Sequence, residues 1–233
     1  MRALSVVVGA GGRDTCVLCR KAVSASYDPA PVVMQRIDRV LADAPHPPFS
    51  LLFSGADAFG HPDLPALIAY VVRGGATRVG LETDGRALTV GGNAGGAIHA
   101  GVRRFDISLL AADDVAGERL YGRADAAGLA LQGVAECVAA AERAGVNVAV
   151  TAAVPVCAHN LDDVARTVAA LAAVGVACVR LDARDLPFSA HASACLVAAC
   201  DTGMVDGVWV EVLGSPEALP PSHVLHVAGE ERE

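Results

Sequence analysis

The sequence predicts an α/β protein whose parallel strands close wholly or partly into a barrel, and three observations predict it. Short apolar runs alternate with stretches of helical spacing along most of the 233 residues, and parallel strands need such crossovers. At least six such units follow one another without an intervening linker, which favours one barrel over two domains. The composition is 53% hydrophobic but only 4% aromatic, with Ala, Val, Leu and Gly prominent. That suits helices packed tightly on buried parallel strands better than a β-sandwich.

Taken in order, Ala3 to Val8 reads as a first strand, buried on both faces. A glycine-rich loop leaves its C-terminal end: Gly9-Ala10-Gly11-Gly12-Arg13-Asp14-Thr15-Cys16-Val17-Leu18-Cys19. Val33, Ile37, Val40 and Leu41 mark a helix from Val32 to Ala44, stopped before His46-Pro47-Pro48. Leu51-Leu52-Phe53 is a second strand, followed by the loop Ser54-Gly55-Ala56-Asp57-Ala58-Phe59-Gly60. Pro62 suits the first position of a helix running to Val72, because it has no amide hydrogen to leave unpaired. Arg78 to Glu82 is a third strand ending in Thr83-Asp84-Gly85, and Phe105 to Leu110 a fourth, with Asp106 and Ser108 on one face. Between them Gly91 to Gly101, rich in Gly and Ala, reads as a turn or as close helix packing. Helices over Ala126–Gly145, Asn160–Val174 and Ala190–Cys200 alternate with strands over Val146–Val154, Ala177–Leu181 and Gly207–Leu213. A single domain over 1–215 is expected, with 216–233 a C-terminal segment whose acidic end is flexible.

A net charge of -8 without clustered Lys or Arg excludes a nucleic-acid face. The apolar start is too short for a secretory core, and no run reaches the ~18 residues of a membrane span. The expectation is a cytoplasmic protein with no membrane partner. In that compartment seven cysteines do not make a disulfide framework, and Cys137, Cys157, Cys178, Cys195 and Cys200 are expected to be small buried hydrophobes. Cys16 and Cys19 are different, because C-x-x-C spacing lets two thiolates meet on one metal or cluster, or form a redox disulfide. Structural zinc would need two more ligands, and no second C-x-x-C or His-x3-His spacing accompanies the pair. A zinc or thiol-exchange barrel, or a binding scaffold, therefore remains an alternative. In a barrel the inward residues near the C-terminal strand ends line the ligand site, so Ser108 is a candidate contact; the alternative is a hydroxyl satisfied in a core.

Phe53-Ser54-Gly55-Ala56-Asp57-Ala58-Phe59-Gly60-His61-Pro62-Asp63-Leu64 resembles a stretch of the radical S-adenosylmethionine (radical SAM) superfamily, in which strand, Gly-Gly-Glu-Pro loop and helix start follow in that order. Val79 to Gly85 resembles its third strand and Thr-Asn-Gly turn, Ile107-Ser108-Leu109 its fourth strand, and Glu118 to Gly122 the segment after it. Gln132 to Asn160 continues the likeness, which spans about residues 3 to 184. The resemblance implies a partial (β/α)6 TIM-like barrel and a 4Fe-4S iron-sulfur cluster held by a C-x3-C-x2-C loop after the first strand. It also implies S-adenosyl-L-methionine bound to the cluster's open iron and cleaved reductively to a 5'-deoxyadenosyl radical. Carried onto this chain, it makes Cys16 and Cys19 metal ligands and Gly55, Ala56, Asp57 and Ser108 cofactor contacts. Glu82, Arg180 and Asp182 become candidates for lining the cavity, the alternative being that Arg180 and Asp182 pair with each other. No catalytic residue is assigned.

Two departures separate this chain from the pattern. Gly12 stands where the first cysteine should, and glycine has no ligand atom; Leu18 replaces the aromatic residue before the last cysteine. Asp57 is one methylene shorter than the family's glutamate, so it either reaches the cofactor's amino group through a shifted backbone or a water, or serves the helix starting near Pro62 as an N-terminal carboxylate. The expectation is a degenerate radical-SAM-like protein, a partner or accessory subunit to a complete enzyme in a biosynthetic or peptide-modification pathway. An active enzyme whose cluster is completed by another ligand, such as Asp14, another cysteine or a partner chain, is the alternative.

Overall fold

Side chains on successive strand residues point to opposite faces, and in this chain the two faces have different chemistry. The computed structural model describes residues 3–11, 25–42, 49–187 and 189–214. Within them β1 (Ala3–Val7), β4 (Phe49–Ser54), β5 (Ala76–Thr83), β6 (Val102–Ser108), β7 (Ala149–Pro155), β8 (Cys178–Asp182) and β9 (Trp209–Leu213) form one sheet in that order. Every neighbouring pair is parallel. One face carries Val6, Phe53, Leu81, Phe105, Ile107, Val179 and Leu181, all fully buried or nearly so. Burial of each such side chain stabilises the fold by roughly 1.5–3 kcal/mol. The other face is polar and is described below.

Helices cover only the apolar face. They are α1 (Ala30–Ala42), α2 (Leu64–Arg73), α3 (Asn93–Ala100), α4 (Asp114–Tyr121), α5 (Ala126–Ala144), α6 (Val164–Ala173) and α7 (Ala190–Asp206). A short antiparallel pair, β2 (Gly9–Ala10) with β3 (Ser26–Tyr27), stands apart from the main sheet. β1 and β9 do not pair with each other among the described residues, so the arrangement is an α/β partial barrel, as expected. No single described helix is long and apolar enough to cross a membrane.

Several sequence expectations are corrected. β1 is not buried on both faces: it is an edge strand, and Val7 is 50% exposed on the uncovered side. Of the two readings of Gly91 to Gly101, helix packing holds over residues 93–100, which form α3; Ala94, Ala97 and Ile98 recur at helical spacing and are buried, which outweighs the two glycines between them. α4 was not expected; Asp113 caps it by accepting from the Ala116 amide at 2.9 Å, and Gly122 ends it in the left-handed region. α2 begins at Leu64, so Pro65, not Pro62, occupies its first turn. The chain turns once more before that helix, because His61 Nδ1 accepts from the Asp63 amide at 3.0 Å. Cys16, Cys19, Gly12, Asp14, Leu18 and 216–233, for which the sequence raised expectations, lie outside the described residues.

Of the five scattered cysteines, Cys137 and Cys200 are buried as expected, whereas Cys157, Cys178 and Cys195 are only partly so. Cys157 follows a strand end, Cys178 lies on the uncovered face and Cys195 on the outer side of α7. Burial pushes the Cys137 thiol up to about 12 and, with help from Asp201, the Cys200 thiol up to about 11. Thiolate is the nucleophile, so iodoacetamide at pH 8 should leave both unmodified in the native protein and alkylate them after denaturation. Peptide mapping by mass spectrometry checks this; rapid native labelling of Cys137 would contradict its burial.

Candidate functional site

The uncovered face is built by register. Gly80 pairs with Arg104 and Arg104 with Ala149; Glu82 pairs with Asp106, Asp106 with Thr151, and Thr151 with Cys178. Further along, Ser108 pairs with Ala153, Ala153 with Arg180, and Arg180 with Glu211. The polar residues therefore form transverse rows. Asp106, 5% exposed, receives both Arg104 Nε at 3.0 Å and Arg104 Nη2 at 2.6 Å. Fork-on-carboxylate pairing of this kind holds both side chains in one geometry.

Arg180 does not pair with Asp182. It donates from Nε to Glu211 on β9 at 2.7 Å, while Asp182 accepts from Arg184 at 2.8 and 2.7 Å. The physical reason is the pleat: Glu211 is directly across from Arg180 on the neighbouring strand, whereas Asp182 lies two residues further along its own. Burial alone would lower the Arg180 guanidinium, but the Glu211 bond and charge outweigh it and the net shift is upward. Arg184 holds the Asp182 carboxyl below its ordinary range. Burial, followed by the Glu211 charge, pushes the Cys178 thiol up.

At the C-terminal end of this face, β2 and β3 pair as an antiparallel stem, and the sequence joining them contains Cys16 and Cys19. Gly9 is required there, because a Cβ would come within 2.3 Å of Ser26 O. The stem is bolted to the β4 loop by Tyr27, whose hydroxyl donates to the Asp57 carbonyl at 3.0 Å. Arg36 Nη1 donates to Val7 O at 2.9 Å and to Asp28 Oδ2 at 2.6 Å, and His61 Nε2 donates to Asp28 O at 2.9 Å. Since Nδ1 of His61 accepts, its proton is on Nε2.

Of the residues singled out from the sequence, Gly55 has φ +75 and packs where a Cβ would lie 2.6 Å from Val7 Cγ1 and 2.7 Å from Gly9 O. Its glycine is accounted for by that close approach of β1. Ala56 also has a positive φ, 33°. Asp57 is buried and caps the short turn Ala58–Gly60, Oδ1 accepting from the Phe59 amide at 3.2 Å. The turn that it caps precedes α2, so it is not the N-terminal carboxylate of that helix. Ser108 is exposed on the polar face, not satisfied in a core. Glu82 stands beside Asp106 in register. Gly55, Ala56 and Asp57 are thus contiguous with the stem, while Ser108 lies two strands away at the same end of the sheet.

Two cavities bear on where ligands go. One of 230 Å³ is lined by Ser50, Leu52, Arg78, Gly80, Arg104 and Ala149, four adjacent strands contributing, which shows the polar face to be concave. A larger one of 420 Å³ lies between α2 and α3 on the helix side. Its polar side chains, His61 and Asn93, are spent on backbone bonds to Asp28 and Ala87, so the chemistry belongs to the sheet face. Asn160, which the sequence placed at the start of a helix without a site role, is 1% exposed and ties the β6 and β7 ends together.

No protein-family profile and no curated protein matches the sequence. Solved structures do. SuiB of Streptococcus suis, bound to the precursor peptide SuiA, superposes with a TM-score of 0.67 at 11% identity over 92% of this chain and 49% of its own. The anSMEcpe protein with bound AdoMet and a peptide gives 0.64 at 12% identity over 91% and 63%. The radical S-adenosylmethionine methyltransferase TsrM of Kitasatospora setae gives 0.52 at 12% over 77% and 35%. The chain thus spans between about a third and two thirds of the length of these proteins. On the parallel order of its strands, its polar concave face and these superpositions, the chain has the partial-barrel fold of the radical SAM enzymes.

Proposed function

We propose that this chain is a radical-SAM-type domain without a self-sufficient cluster site, acting as an accessory partner to a complete enzyme in a biosynthetic or peptide-modifying pathway. The observation that carries the reading is the donor set in the sequence of the Cys16–Cys19 motif, on a chain with the radical SAM partial-barrel fold. In the sequence joining β2 to β3, Cys16 and Cys19 supply two thiolates and Gly12 none, where a cluster with one open iron takes three. On its own motif the chain lacks the third thiolate that the cluster needs. Gly55, Ala56, Asp57 and Ser108 are the proposed contacts to S-adenosylmethionine, and the peptide bound to SuiB supports a peptide as the partner's substrate.

Anaerobic reconstitution with iron and sulfide tests the reading. The isolated chain should hold well under one 4Fe-4S cluster and yield no 5'-deoxyadenosine under reduction. The Gly12→Cys variant should raise iron and sulfide toward four each per chain. A full cluster in the wild type, with reductive cleavage of S-adenosylmethionine, would overturn the accessory role and favour an active enzyme with another third ligand; Asp14→Ala would then show whether Asp14 is that ligand.

A further inference from the structure

We propose that Asp162, His191 and Cys195 form a second metal site, one that takes a divalent transition cation of the Zn2+ class. His191 and Cys195 are four residues apart on α7 and so lie one turn above the other on one helix face. Asp162 reaches them from the turn Leu161–Asp163, which follows β7 and packs against α7. The three side chains each offer one donor atom, all within 4.8 Å of one another.

The distances suit a shared ion. Cys195 Sγ lies 3.8 Å from His191 Nε2 and 3.9 Å from Asp162 Oδ1, and Nε2 lies 2.8 Å from that oxygen. Tetrahedral zinc with ordinary bond lengths separates its nitrogen, oxygen and sulfur donors by about 3.3–3.6 Å. Only the nitrogen–oxygen contact has to open, by about 0.5 Å, and both side chains are free to move, with exposures of 66% and 77%. One imidazole, one thiolate and one carboxylate are a borderline-soft set that selects zinc-like cations over Mg2+ or Ca2+. Exposure leaves the fourth position open to water.

On binding, the thiol proton leaves to solvent and the imidazole proton moves from Nε2 to Nδ1, freeing Nε2 to ligate. The bound ion would tie the first turn of α7 to the loop after β7, away from Cys16 and Cys19 in sequence and independent of whether a cluster forms there.

The test is titration of the tag-free full chain with Co2+, a spectroscopic stand-in for Zn2+, in a Cys16→Ser/Cys19→Ser background. One Co2+ per chain is expected, with a thiolate charge-transfer band and tetrahedral visible bands that Zn2+ displaces. Adding Cys195→Ser should abolish the charge-transfer band, and His191→Ala should abolish stoichiometric binding. Should the double-serine background fail to fold, the same two substitutions in the wild-type chain should remove one equivalent of bound Co2+. No thiolate band in the background, or a band or stoichiometry that survives Cys195→Ser, overturns the site and leaves a hydrogen-bonded surface cluster only.

Discussion

Gly133→Ala is expected to destabilise the protein by about 3 kcal/mol, the upper part of the range for overpacking. In an isolated helix the same change would gain about 1 kcal/mol. The sign reverses because a Cβ at position 133 of α5 would lie 1.9 Å from Gly85 O and 2.7 Å from Gly85 C. Both atoms are backbone, in a turn that is itself held at φ +80 and braced by the Thr83 hydroxyl, which accepts from the Gly85 amide at 3.2 Å. The turn is also closely packed on its other side, since Ile107 Cγ2 lies only 2.8 Å from where a Gly85 Cβ would stand. Gly95→Ala in α3 is the control, since a Cβ there meets nothing within 4 Å. It should gain about 0.5–1 kcal/mol from helix propensity and a less flexible unfolded chain. Urea unfolding midpoints of the two variants should move in opposite directions; a neutral Gly133→Ala would refute the close approach of α5 to the β5 turn.

Asn160→Ala should cost a further large amount, about 3 kcal/mol, from three hydrogen bonds at about 1 kcal/mol each. The side chain accepts from the Cys157 amide at 2.8 Å and donates to Leu110 O at 3.0 Å and Pro155 O at 2.8 Å. Truncation leaves buried backbone groups at the ends of β6 and β7 unpaired, which is the costly case. Thermal unfolding reads the stability. Hydrogen exchange should show faster opening at Cys157 and around Leu110, and slower change in α1 and α2, which the bonds do not reach. Leu110 keeps one other tie, its amide donating to the Tyr121 hydroxyl at 2.7 Å, so Asn160→Ala with Tyr121→Phe should lose more than either alone.

Much of the fold was legible because its signals are local. The alternation Asp106-Ile107-Ser108 told which face of β6 would be polar, and the periodic apolar residues placed α5 and α6 to within a few residues. α3 was legible only as one of two readings, because Gly95 and Gly96 argue for a turn and only the burial of Ala94, Ala97 and Ile98 against the rest of the protein decides for the helix. The candidate site was legible in part. Ser108 could be placed by alternation, whereas the capping role of Asp57 depends on a short turn that no periodicity announces. His191 and Cys195 left a readable trace in their spacing of four; Asp162, 29 residues before His191, left none.

By itself the sequence determined most of the alternation of strands and helices, the parallel sheet and the polar face of β6, because periodicity and residue identity are properties of neighbouring positions. Tertiary structure alone decided that Arg180 meets Glu211 rather than Asp182, that Tyr27 joins the loop stem to the Asp57 turn, and that Asp162 meets His191 and Cys195. Those partners lie 29 to 33 residues apart. Contacts at that range are chosen by strand register and helix packing, which depend on the whole chain at once.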